Sequence, residues 1–513
     1  MKRYLLFILL FTCATSYAQI PEDALRYSYI PQNGSARNLA IGGAMGSLGG
    51  DINSTFVNPA GLGFYKTSEF VLSPGFSFKN SKVNFRDNNT QTKKNTFGFG
   101  PTGFVVGFPE RYNKNSNALS IVITQSANFN SSLKYSGLNN FSSFSEQFAE
   151  EFAKSGYTID QVLNSKSPLP YGSAPALYAY LIDTVRVGGI LQVKGAPEFI
   201  LDAGEALKQE MQKETRGGIY DVAMGFAHNS REKWYFGGTI SLSFIDYSSN
   251  TKFKETDTSA KTNNHFYNFV YQDDFKTKGM GVSGKFGVIY RPKEYIRFGL
   301  AVHTPTFMGL TDTRVVTLNT ALENPIEVFD ASSKTFTDNV PGESKYLQTS
   351  ALKVIGSASY VFREVENVKK QRAFITADIE YAHHKGSRFS SNNEVPTDAE
   401  KTYYKQLNGV VKDLYKGTFN FRAGGELKFN TIMGRLGFAY YGNPYKDVPY
   451  KATRMLLSGG LGYRNKGVFL DLTYVHSIAK DADMPYRLQD RANTYATLKQ
   501  QQGNIVATLG FKF

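Results

Sequence analysis

The strand-like stretches of this chain are joined by connections that alternate between short and long as far as the last residue, Phe513. After about residue 68, fourteen such stretches of roughly nine or more residues can be placed, the length that crosses a bilayer when tilted. Links of a few residues fall at 111–115, 228–232, 291–294, 430–433 and 464–467, with a slightly longer one at 363–371. Between them lie long polar links at 81–94, 131–216, 249–275, 309–343, 386–415, 442–452 and 477–502. A transmembrane barrel imposes this rhythm, because the turns at one rim are tight and the loops at the other are free to grow. The expected fold class is therefore an all-β transmembrane barrel of about 14 antiparallel strands, with a helical extracellular insertion at 131–216.

The strands carry two chemically distinct faces. In 504–513, Ile505, Ala507, Leu509, Phe511 and Phe513 share one face, while Asn504, Thr508 and Lys512 share the other. Val468, Leu470, Leu472 and Tyr474 oppose Asp471 and Thr473, and Ala373, Ile375, Ala377, Ile379 and Tyr381 oppose Thr376, Asp378 and Glu380. An ordinary half-buried antiparallel sheet shows the same alternation. Closure follows from lipid, where each orphaned backbone group on an open edge costs on the order of several kcal/mol. Only every second strand residue meets lipid, so a mean hydropathy of −0.33 is compatible with a membrane barrel, and the 14% aromatic content suits interfacial girdles.

The leading residues read as a secretory signal. Lys2 and Arg3 precede an apolar run from Tyr4 to Cys13, followed by Ser16-Tyr17-Ala18, which places cleavage after Ala18. A lipoprotein signal ending at Cys13 is the alternative, disfavoured by Thr12. Removing 1–18 takes away the single cysteine, leaving no intrachain disulfide, and lowers the formal charge from +14 to +12. A basic surface is suited to the phosphates of outer-membrane lipid, and equally to keeping the loops soluble. The expected location is the outer membrane of a Gram-negative bacterium.

Residues 19–68 do not alternate. Ala36 to Gly50 (ARNLAIGGAMGSLGG) is rich in small residues, and Asp51 to Tyr65 reads DINSTFVNPAGLGFY. Dense glycine permits close backbone packing, which suits a plug threaded into a lumen, with 69–513 forming the barrel around it. A glycine-rich stretch, an acidic residue and then NPAGL before the first strand resembles the hatch of the long-chain fatty-acid transporter (FadL/TodX) family of outer-membrane proteins. Residues 279–305, 375–389 and 421–429 resemble later strands of that family, and the likeness spans roughly 36–78 and 217–513.

The resemblance implies a hatch-plugged barrel through which hydrophobic compounds diffuse passively and leave sideways through the wall. It also implies that Asn58, Pro59 and Ala60, which match the family's NPA motif, lie beside the wall opening. The family bends its third strand to make that opening. Here the third strand, about 116–130, contains neither Gly nor Pro, so a bulge is the device left to it. The terminal strand ending in Phe513 resembles the signal read by the barrel assembly machinery. A closed barrel of this size is expected to stand alone as a monomer.

Within 137–216, Phe141, Phe144, Phe148 and Phe152 recur at spacings of three, four and four, one face of a helix. Ile200, Ala203, Leu207 and Met211 form a similar stripe. Two readings apply: a cap of helices packed on one another, or a greasy landing groove for ligand.

Several signals for other chemistry fail on context. Gly98, Gly100 and Gly103 satisfy GxGxxG, but they lie within a strand with no helix after them, where glycine more often marks a bend or bulge. His383 and His384 are adjacent, and neighbours on a strand point to opposite faces. No GxSxG or HExxH occurs, basic residues are dispersed rather than interleaved with stacking aromatics, and neither an enzyme, a cofactor nor a nucleic-acid partner is expected. The leading function is passive transport of a hydrophobic small molecule, such as a fatty acid, lipid-like compound or aromatic hydrocarbon. A protein-secretion or assembly component and a haem receptor are the competing readings.

Overall fold

The computed structural model describes residues 22–110, 114–259, 261–323, 327–362, 372–446 and 452–513. The leader 1–18 and the turn at 363–371 lie outside these residues. Fourteen antiparallel wall strands run in sequence order. Several are interrupted by a bulge or bend: β1 (Glu69–Leu72, Pro74–Phe85), β2 (Asn88–Phe99, Thr102–Pro109), β3 (Ser116–Asn128, Ser131–Asn139), β4 (Leu207–Ser230), β5 (Trp234–Asp257) and β6 (Asn268–Lys293). They continue as β7 (Ile296–His303, Phe307–Leu322), β8 (Gly342–Thr349, Lys353–Phe362), β9 (Ala373–His383, Arg388–Ser391), β10 (Gly417–Phe429), β11 (Ile432–Tyr441), β12 (Arg454–Asn465), β13 (Val468–Asp483) and β14 (Ala496–Lys512). Strand β14 pairs with β13 on one side and β1 on the other, so the sheet closes on itself.

The wall is taller than the bilayer. On β5 the outward row Trp234, Phe236, Ile240, Leu242 and Phe244 is exposed and apolar, and the same row continues as Asp246, Ser248, Asn250, Lys252 and Lys254. At about 3.4 Å per residue and a tilt near 45°, the apolar stretch spans roughly 25 Å, the height of a membrane-facing band. Everything beyond it stands above the membrane at the long-loop rim. This explains a difference from the sequence reading: 81–94, 249–257 with 268–275, and 131–139 with 207–216 are strand or tight hairpin rather than loop, because the outward row of a strand turns polar once it leaves lipid. The insertion between β3 and β4 accordingly occupies 140–206.

The N-terminal segment lies inside the barrel, and its backbone is hydrogen-bonded by inward side chains from all around the wall. Thr508 accepts from Ala36 N (2.8 Å), Thr473 donates to Ala36 O (2.6 Å) and Ser458 to Ala40 O (3.1 Å). Asp378 accepts from Met45 N (3.0 Å), Arg297 donates to Leu48 O (2.7 Å) and Ser116 to Gly63 O (3.1 Å). The polar faces of the strands therefore bind protein backbone as well as water, satisfying groups that short helices α1 (Asp23–Arg26), α2 (Ala36–Ala40) and α3 (Ser54–Val57) leave open. Below them a buried ion network joins plug to wall: Arg435 bonds Glu426 (2.6 Å) and Asp471 (2.5 Å), and Arg37 of α2 lies 3.7 Å from Glu426.

Four helices cap the long-loop rim: α4 (Glu146–Ser155), α5 (Ile159–Val162), α6 (Ser173–Tyr178) and α7 (Ala196–Asp202), with the hairpin Ile182–Val187/Ile190–Gly195. A fifth, α8 (Asp398–Leu414), fills the connection between β9 and β10. The Ile200 stripe read from sequence as helical is helical only to Asp202. Leu207 and Met211 belong to β4, where they face inward onto the cap.

Candidate functional site

Among the described residues, the ladder around the barrel is interrupted between β2 and β3. Strand β2 pairs with β1 over both of its segments, but with β3 only over Thr102–Pro109 and Ser116–Ile123. Beyond Ile123, β3 pairs only with β4. Among the described residues, 88–99 and 124–139 thus face each other without backbone pairing. Higher up, side chains stitch the edges: Thr92 Oγ1 donates to Ser132 O (2.9 Å) and Thr90 Oγ1 to Lys134 O (2.7 Å).

Two sequence features open the wall here. In β2, Gly100-Pro101 breaks the strand, and Pro101 has no N–H to give to a ladder. In β3, the register with β4 shifts between Gln125 and Ala127, the bulge left open by a strand without Gly or Pro. The glycines of the literal GxGxxG therefore act as a strand break, the role that their place in a strand suggested. Phe97 on β2 and Ile123 on β3 are exposed on the outer face, so the interruption borders the apolar band.

Asn33 spans the interruption. Its Nδ2 donates to Phe99 O on β2 (2.9 Å) and to Gln125 O on β3 (2.7 Å), while its Oδ1 accepts from Gly34 N (2.9 Å). Asn128 Nδ2 donates across to Phe97 O (3.3 Å), and the Gln125 side chain lies over Gly98. Behind this screen is a cavity of about 520 Å³, bordered by Asn33, Gly98, Gln125 and Asn128 at the wall. Leu25, Ile30, Leu39 and Phe129 line its apolar part, and Ser77, Lys79, Gln500, Gln502 and Asn504 its polar part. A second cavity of about 190 Å³ lies across the segment Ile30–Asn33 and touches Lys285, His303, Lys353 and Glu380. Volumes of a few hundred Å³ suit small ligands.

Asn58, Pro59 and Ala60 lie elsewhere in the lumen. Asn58 is 1% exposed; its Nδ2 donates to Gly46 O (2.6 Å) and its Oδ1 accepts from Ala60 N (3.1 Å), capping the 3-10 turn Pro59–Phe64. Ala60 packs on Tyr235 and Ile289, and Phe64 stacks on Tyr235 at 4.0 Å. This wedges the motif against β5 and β6. Gly237 and Gly287 permit the approach: a Cβ on Gly237 would sit 2.3 Å from the Pro59 carbonyl carbon, and one on Gly287 1.8 Å from Asn58 Oδ1. Asn33, not Asn58, bonds the unpaired edges. The sequence signal for it was indirect: a Pro-containing turn stretch, PQNG, ahead of the small-residue run.

The phenylalanine stripe is brought together as core. Phe144, Phe148 and Phe152 are 4%, 5% and 7% exposed, and Phe144 stacks on Phe253 at 4.3 Å with Tyr271 and Tyr486 around it. Only Phe141 stays open, at 43%. Of the two readings of the stripe, the three buried rings pack as the cap reading has it, because wall strands taller than the membrane supply an aromatic inner face that covers them. Beneath, Glu255 accepts from Ser143 Oγ (2.6 Å) and Gln209 Nε2 (2.6 Å).

No family model and no curated protein matches the chain. Solved structures do. The crystal structure of a Pseudomonas aeruginosa FadL homologue is similar with a TM-score of 0.52 at 13% identity, covering 94% of this chain and 99% of that one. The P. putida toluene transporter TodX is similar with a TM-score of 0.52 at 14% identity and the same coverage. At such identities the likeness is one of fold: the chain shares the barrel fold of the FadL and TodX structures, with 14 antiparallel strands, as its strand rhythm led us to expect.

Proposed function

We propose that this barrel conducts a hydrophobic small molecule passively across the bacterial outer membrane and delivers it sideways, through the interruption between β2 and β3, into the lipid. The observation that carries the reading is the unpaired stretch bordering the apolar band, backed by a cavity and bridged by Asn33 of the plug. A route that opens into hydrocarbon lets an apolar solute avoid water on leaving. Weak apolar sites of about 25 cal/mol per Å² hold such a solute without trapping it. The N-terminal segment then serves as a hatch that blocks straight passage. The long-loop rim faces outward, where the cap screens what enters. That solved structures of the same fold include a toluene transporter supports this class of cargo.

Flux through proteoliposomes tests it. With a long-chain fatty acid, toluene and a pentose as alternative solutes, the protein is expected to speed entry of one or both apolar compounds and to leave the pentose excluded. Free passage of the pentose, or no effect on either apolar compound, contradicts the proposal.

A further inference from the structure

The outer face above the apolar band carries one arrangement that neither the barrel nor the transport route explains. Lys480 of β13 lies directly opposite Lys499 of β14, and Lys499 lies directly opposite Lys82 of β1. All three are exposed on the outward side. Lys93 of β2 is exposed on the same face, one diagonal step from Lys82. Directly opposed residues hold their Cβ atoms about 5 Å apart, and like charges there repel. None of the four lysines has an ion-pair partner among the described residues. The outward positions around them on these strands are Asn80, Asn84, Gln91, Asn95, Thr497 and Gln501, with no carboxylate. Other lysines above the band stand beside carboxylates: Lys278 of β6 faces Asp246 of β5, and Lys345 bonds Glu343 at 3.0 Å.

The height of the row identifies its counter-charge. Lys82 lies four residues past Phe78, the last exposed aromatic of β1, which at a strand tilt near 45° is about 10 Å above the band. Lipid headgroups lie at that level, and flexible lysine stems reach down toward them. We propose that Lys82, Lys480 and Lys499, with Lys93 beside them, form a binding site for the phosphorylated headgroup of a membrane lipid in the leaflet at the long-loop rim. Three ammonium groups from neighbouring strands suit a headgroup bearing more than one phosphate, whose oxygens accept charge-assisted hydrogen bonds. The site abuts β2, so the bound lipid borders the wall interruption.

The full-length protein in mild detergent is titrated with bisphosphorylated lipid A and with its dephosphorylated form, and binding is read by native mass spectrometry. The wild type is expected to hold the phosphorylated lipid about tenfold more strongly. Lys82→Gln/Lys480→Gln/Lys499→Gln is expected to erase that preference and the corresponding triple Arg variant to retain it, with heat-modifiable migration on gels reporting an intact barrel in each. Lys278→Gln/Lys345→Gln, which removes two lysines that stand beside carboxylates, is expected to leave it unchanged. The proposal is overturned if the triple Gln variant keeps the preference or if the control variant loses as much. Full competition by inorganic phosphate at the lipid's own concentration overturns it as well, since the site would then recognise a free anion rather than a lipid.

Discussion

Single side chains decide how tightly the interior is closed. Asn33 contributes two hydrogen bonds to carbonyls on two strand edges that do not pair with each other, each worth about 1 kcal/mol net. Asn33→Ala is expected to loosen the screen and raise apolar flux in proteoliposomes several-fold, with the barrel still heat-modifiable; unchanged flux would remove Asn33 from the route. Gly237 does the opposite work, leaving room for the plug. Gly237→Val forces a side chain against the Pro59 backbone, where overpacking costs typically 1–3 kcal/mol and backbone cannot swing aside. The expected result is a folded barrel whose N-terminal segment is displaced, measured as entry of a pentose into liposomes. A folded variant that excludes the sugar would show that the plug tolerates the change.

At the scale of elements, legibility followed the solvent. Where one face of a strand meets lipid, the alternation was plain: Leu470 and Leu472 point out, and Asp471 and Thr473 are buried. Above the membrane the outward row turns polar, so β1–β2 and β5–β6 read as loops although their ladders run on to Phe85 and Thr256. Helix α8 was missed within a stretch taken as a polar link. Its signals were present, a Thr397-x-x-Glu400 capping box followed by Tyr404, Leu407 and Val411 at helical spacing, and those three side chains are buried in the structure. The wall interruption was half legible: Gly100-Pro101 marks it on β2, but the bulge on β3 depends on pairing with β4, which no local pattern records. Two measurements bear on the cap. Phe148→Ala should cost about 3–5 kcal/mol of cap stability, seen as faster proteolysis within 140–206 with the barrel intact. Burial pushes the Glu198 carboxyl up to about 7, with nearby Glu146 adding to the shift and the Gly195 N–H opposing it. The folded acid then keeps its proton to higher pH than the unfolded one, so its stabilisation is complete below about pH 4.5 and is lost as pH rises through 7. Hydrogen exchange of α7, corrected for intrinsic rates, should show protection falling between about pH 4.5 and 7 in the wild type but not in Glu198→Gln.

The described residues form a closed wall around the segment 22–68, with a stretch between β2 and β3 where neighbouring strands do not pair. The proposed function makes of lumen, plug and interruption a path that turns from the barrel axis into the membrane, and its central claim is that cargo takes that turn. A covalent bridge across the interruption tests it most directly. A Cβ on Gly98 would lie 2.6 Å from Gln125 Oε1, so the two positions face each other within the length of a glutamine side chain, and Gly98→Cys with Gln125→Cys can be joined by a short, disulfide-forming bis-methanethiosulfonate linker. With the bridge formed, apolar flux into proteoliposomes should fall to that of protein-free vesicles, and reductant should restore it. Undiminished flux through the bridged barrel would contradict sideways delivery.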